Sequence, residues 1–111
     1  MRYALLVWTD ESAVISDEER SRRVAARESF QDEMRARGTL LATEPLQAPH
    51  TTTTVRCWDG GDVMITAGPA AETKEQVSGF FVVECKDLDE AIGVATRVPA
   101  AWYGTVEIRP A

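Results

Sequence analysis

Three charged side chains in one short segment, Glu72, Lys74 and Glu75, are the residues most suited to chemistry in this sequence. Two carboxylates near an ammonium can hold different pKa values and so divide acid and base roles. Gly68 and Pro69 precede them; Phe80 and Phe81 follow, and with Trp58 could wall a ligand pocket. His50 is the sole histidine, flanked by Pro49 and Thr51. Its ordinary pKa suits proton transfer near neutrality, with Glu44 or Glu72 as an orienting carboxylate. The competing structural reading is that Thr73-Lys74-Glu75-Gln76 caps one short helical turn and only holds its loop. A lone loop histidine, equally, is usually solvated.

Other chemistries find no footing. Cys57 and Cys85 form no CxxC and have no histidine at metal spacing, so neither metal nor cofactor is expected. Both are read as buried structural thiols, unreactive because burial raises a thiol pKa. Ser16 and Ser78 lack a nucleophile elbow, and no P-loop, GxGxxG or HExxH occurs. The net charge of −6 and a pI near 4.7 disfavour nucleic acid and anionic membranes as partners. Arg20, Arg22, Arg23 and Arg27 do cluster, but among Asp17, Glu18, Glu19 and Glu28, which reads as a solvated, ion-paired helix face. No apolar run approaches the ~20 residues that span a bilayer. No signal-peptide pattern opens the chain, so a cytoplasmic location is expected.

The elements that must position these groups follow from periodicity. At 111 residues, a single domain is expected over 1–111. Tyr3 to Trp8 reads as a buried strand. Ser16 opens a helix through a capping box with Glu19, and the helix runs to Arg37 and stops at Gly38. Ala26, Phe30 and Met34 form its buried stripe. Thr39 to Thr43, Thr51 to Trp58, Asp62 to Thr66, Phe80 to Cys85 and Thr105 to Arg109 read as strands. Asp59-Gly60-Gly61 turns the central hairpin. Ala67 to Ser78 reads as the longest irregular stretch. Asp87 and Glu90 cap a second helix with Leu88, Ala91, Ile92 and Ala95 inward.

The order β-α-β-β-β-β-α-β is an α+β, ferredoxin-like plan with an extra hairpin and two helices on one face of an antiparallel sheet. Phe80 and Val82 point to one face of their strand, Phe81 and Val83 to the other. Two helices cover one apolar layer, so a homodimer is expected to cover the second. Trp8, Trp58 and Trp102 are read as core or interface anchors.

The segment Ala67-Gly68-Pro69-Ala70-Ala71-Glu72-Thr73-Lys74-Glu75-Gln76-Val77-Ser78-Gly79-Phe80-Phe81 resembles the signature of the DGPF branch of the YCII-related family. Arg2 to Leu6, Asp10-Glu11, Thr53 to Arg56, Asp59-Gly60 and Val106 to Pro110 extend the likeness over nearly the whole chain. The resemblance implies a ferredoxin-like fold related to the dimeric α+β barrels. It also implies a small-molecule enzyme built on a His–Asp pair in one branch, whose histidine lies on the first helix. Asp17 to Arg37 contains no histidine, and Ala67 and Ala70 replace the signature Asp and Phe. The leading expectation is a small-molecule-binding protein using cofactor-free acid–base chemistry of isomerase or lyase type. It places Glu72, Glu75 and His50 in catalysis, and Gly68, Pro69, Lys74, Phe81 and Trp58 around the ligand. The alternative is a non-catalytic accessory or regulatory interaction module.

Overall fold

The computed structural model describes residues 1–111. Six strands and two α-helices alternate as β1 (Arg2–Thr9), α1 (Asp17–Ala36), β2 (Leu40–Pro45), β3 (Thr53–Cys57), β4 (Val63–Ala67), β5 (Gln76–Glu84), α2 (Leu88–Arg97) and β6 (Thr105–Pro110). Short 3₁₀ turns at Pro49–Thr51 and Pro99–Trp102 complete the path. Four strands form an antiparallel sheet in the order β2-β5-β1-β6, the ferredoxin-like arrangement. The remaining two, β3 and β4, pair only with each other as an arm inserted between β2 and β5.

Strand alternation sets the core. On β1, Tyr3, Leu5 and Val7 are buried, and on β5 so are Phe81 and Val83. They meet Phe30 and Met34 of α1 and Ala91, Val94 and Ala95 of α2 in one cluster. Phe81 packs edge-on against Phe30, with ring centroids 5.2 Å apart, an arrangement that brings the positive ring edge to the negative face. The opposite sheet face carries Leu6 opposite Phe80 and Ala4 opposite Val82. No helix lies over it.

Both helices start where their caps put them. The Ser16 hydroxyl accepts from the Glu19 amide at 3.0 Å, and Asp87 accepts from the Glu90 amide at 2.9 Å. At the end of α1, Gly38 takes φ +72°. The amide of Gly38 bonds back to Arg35 and that of Thr39 to Met34, closing off carbonyls the helix leaves free.

Several expectations need correction. The buried stripe of α1 holds only at Phe30 and Met34; Ala26 is exposed, because the first half of the helix overhangs the sheet instead of resting on it. The α2 stripe is rotated: Leu88 and Ile92 are exposed and Val94 replaces them in the core. No helical turn forms at Thr73–Gln76. The Gln76 side-chain amide instead donates to the carbonyls of Ala71 and Thr73 and to the Thr73 hydroxyl, stitching the loop without helical bonds. Gln76 to Ser78 already belong to β5, so the irregular stretch is shorter than expected. Cys85 is buried but Cys57 is exposed, since it sits on the arm and not in the core. Trp58 and Trp102 lie outside the protomer's core, which leaves for them the interface half of their expected role.

Candidate functional site

The overhang of α1 opens a cleft. A cavity of about 490 Å³ lies between the first half of the helix and the sheet, a size typical of small-molecule sites. Val7 and Phe81 come from the sheet, and Val98, Pro99, Ala100 and Tyr103 from the segment around the second 3₁₀ turn. Thr9, Asp10, Glu11, Ala13 and Ile15 of the β1–α1 loop line another side. Thr43 to Leu46 line a further edge, and α1 supplies Arg20, Arg23, Val24 and Arg27.

The helix contributes this set because positions 20, 23, 24 and 27 share one helical face. Arg23 is tied down twice. Its Nε donates to Glu19 at 3.1 Å, and its guanidinium lies 3.7 Å from the centroid of the Tyr103 ring. Glu19 also accepts from Arg22, and the Arg22 and Arg23 guanidiniums hold its carboxyl below the usual range. The side chains of Arg20 and Arg27 make no ion pair and donate no hydrogen bond. Across the cleft, Asp10 accepts from both the hydroxyl and the amide of Ser12. Those bonds lower its pKa, with a smaller contribution from the charge of Lys74.

Of the residues singled out from the sequence, Phe80, Phe81 and Glu44 line this cleft. Pro69 lines a second, more open hollow of about 590 Å³ beneath the 68–75 loop, together with Trp8 and Gln76. The Trp8 Nε1 is buried there without a hydrogen-bond partner. Gly68 takes φ +106°, donates its amide to Thr52 at 2.7 Å and accepts from the Thr54 hydroxyl at 2.7 Å, anchoring the loop to the arm. Glu75 accepts from the Thr105 hydroxyl at 2.8 Å. Glu72, Lys74, Trp58 and His50 are exposed and lie on the wall of neither cavity. The charge of Lys74 is felt weakly at Asp10 on the rim of the cleft. No three His, Cys, Asp or Glu side chains converge as a metal donor set.

The expectation of an ion-paired helix face holds for Arg22 and Arg23 and needs correction for Arg20 and Arg27, which face the cleft unpaired, and for Arg27 the sequence carries a signal of this. The positions that flank Arg27 at helical spacing are Arg23, Val24, Phe30 and Gln31, none of them acidic. A guanidinium so placed has no local counter-ion, unlike Arg22 or Arg37.

An α+β ferredoxin-like sheet with an inserted arm and a helix-roofed cleft defines the class. A family model described as the YCII-related domain matches residues 1–111, and the chain belongs to that family. It is also similar to an uncharacterized protein of Rhizobium meliloti (strain 1021), 34% identical over 114 residues, spanning 99% of this chain and 91% of that protein. No helix is long and apolar enough to cross a membrane.

Proposed function

We propose that this protein binds a small molecule in the cleft beneath α1, and that it does so as a homodimer. The observation that carries the binding reading is the cleft itself: about 490 Å³ lined by apolar side chains and, in near-equal share, by polar and charged ones. A concave, solvent-reachable cleft of this size with mixed apolar and charged walls is the usual form of a small-molecule site. Acid–base catalysis would draw on the carboxylates near this rim, Asp10, Glu11 and Glu44, with the charge of Lys74 felt weakly at Asp10.

The test is a fragment screen on the ¹⁵N-labelled protein. Hits should shift the amides of Val24, Tyr103 and Thr9 together, and Val24→Trp, which fills the space, should abolish them. Hits that shift only residues outside the cleft would defeat the reading.

The dimer rests on shape. The radius of gyration is 16.0 Å, against about 13 Å for a compact chain of this length. The accessible surface is 7537 Å², against about 6,000 Å² for a compact monomer of this mass. The excess lies within the range one protomer contributes to an obligate dimer. The arm accounts for part of it. Val55 lies opposite Ile65 and Cys57 opposite Val63, so these residues share one face, and Val55, Ile65 and Val63 are all more than half exposed. A second copy, with its own bare sheet face of Leu6, Phe80 and Val82, matches that face in polarity. Sedimentation should give twice the chain mass at micromolar concentration; a stable monomer overturns this half of the proposal.

A second reading, a protein-interaction module, draws on the outward placement of Glu72 and Lys74. Under it, a Glu72→Lys, Lys74→Glu variant keeps cleft binding unchanged but loses a stoichiometric partner recovered from cells with the native chain.

A further inference from the structure

The cleft holds a cation with no carboxylate in ion-pair contact. Arg27 is more than half buried on the cavity wall, yet its guanidinium makes no ion pair and donates no hydrogen bond to the protein. A guanidinium carries five N–H donors that match a carboxylate in pairs, and a partly desolvated one gains most from such a partner. The chain has 18 carboxylates to 12 basic side chains, so acid is plentiful. Glu19 is nevertheless spent on Arg22 and Arg23, and Glu33 on Arg37 and Arg97. Arg20, one face-sharing step beyond Arg23, is likewise unpaired and lines the same cavity.

We propose that Arg27, with Arg20 two turns away on the same helix face, receives the carboxylate of a small organic acid whose apolar body lies on Ile15, Val24 and Leu46. The proposal rests on the cleft being a small-molecule site and adds the class of ligand. Two features select a carboxylate with an apolar body over a phosphate or polyphosphate. The net charge of −6, with Asp10, Glu11 and Glu44 on the same rim, repels multiply charged anions more than a monoanion. Val24 and Leu46 stand exposed on the cleft wall and gain from contact with hydrocarbon. Arg23 is not part of the receptor, because Glu19 and Tyr103 already occupy its edge and its face.

The probes are 4-phenylbutyrate, its neutral amide and inorganic phosphate, titrated into the full chain by NMR. The acid should bind about tenfold or more tightly than the amide, as a charge-assisted bidentate contact implies. The Arg20→Gln, Arg27→Gln double variant should bring the ratio to about one while leaving amide binding where it was. Arg27→Lys, which keeps the charge and loses the fork, should retain part of the preference and guards against a variant that misfolds. Equal binding of acid and amide to the native chain overturns the carboxylate proposal and leaves the cleft reading intact. Phosphate displacing the acid at similar concentration overturns the choice of ligand class. Absence of cleft shifts with both organic probes counts against the proposal and the cleft reading together.

Discussion

Arg23 lays its guanidinium over the ring of Tyr103, 3.7 Å from the centroid, while the Nε of the same group donates to Glu19. One side chain thus ties the overhanging half of α1 to the segment that leads into β6. The contact bridges the end of the cleft and fixes how far the helix stands from the sheet. Gly104 completes the joint. Its amide bonds to the Ala100 carbonyl at 2.7 Å, and its α-carbon passes so near the Trp8 carbonyl that a Cβ would collide.

Tyr103→Leu therefore removes the cation–π contact while keeping bulk. An exposed pair of this kind contributes about 0.5–1 kcal/mol, so urea unfolding should show a loss of that order. The larger effect is expected on the cleft: amide shifts across Arg20 to Arg27 should broaden as the helix end loses its anchor. A variant with unchanged spectra along α1 would show that the helix is held elsewhere.

Gly104→Ala tests the other half of the joint. The backbone carbonyl of Trp8 cannot move aside as a flexible side-chain tip could, so the new methyl must displace a strand. Overpacking of this kind costs about 1–3 kcal/mol, and the thermal midpoint should fall by several degrees. A neutral result would mean the turn before β6 yields freely.

Much of the architecture was legible because local signals agree with tertiary ones. Ser16 and Glu19 begin a helix, Gly38 ends it, and the doublets Phe80–Phe81 and Val82–Val83 place apolar groups on both faces of β5. The cleft was not legible, since whether a helix face meets solvent or a cavity depends on the helix's tilt. Arg20 and Arg27 have the same spacing in either case. Ala26 was misassigned for the same reason, as a small apolar residue at stripe spacing says nothing about whether the sheet comes within reach. The Glu72–Glu75 loop is conspicuous in the sequence for its charge. Its order comes instead from the neutral Gln76, whose amide makes three bonds that no periodicity announces.

The acid side of the stability curve should carry the mark of Glu19. Hydrogen bonds from Arg22 and Arg23 lower its pKa in the folded chain. A lowered carboxyl binds fewer protons folded than unfolded, so its contribution is present above the unfolded value, about 4.3. It is lost as pH falls through the folded one. Glu19→Gln should flatten the fall of the thermal midpoint below pH 5 and leave the pH dependence above 6 unaltered. An identical slope in both proteins would show the ion pairs to be too well solvated to matter.

The two thiols should separate the protomer's interior from its assembly. Cys85 is buried, and burial raises its pKa, with the nearby charge of Glu90 acting in the same direction. Both effects suppress the thiolate that reacts. Cys57 shares the exposed apolar face of the arm with Val55, Val63 and Ile65. If a second copy covers that face, Ellman's reagent should label Cys57 slowly at high protein concentration and faster on dilution, while Cys85 stays silent until denaturant is added. Val55→Asp should make labelling of Cys57 fast at every concentration without exposing Cys85. Labelling of Cys57 that is fast and independent of concentration in the native chain would place the arm in solvent and leave the partner, if one exists, to the sheet face alone.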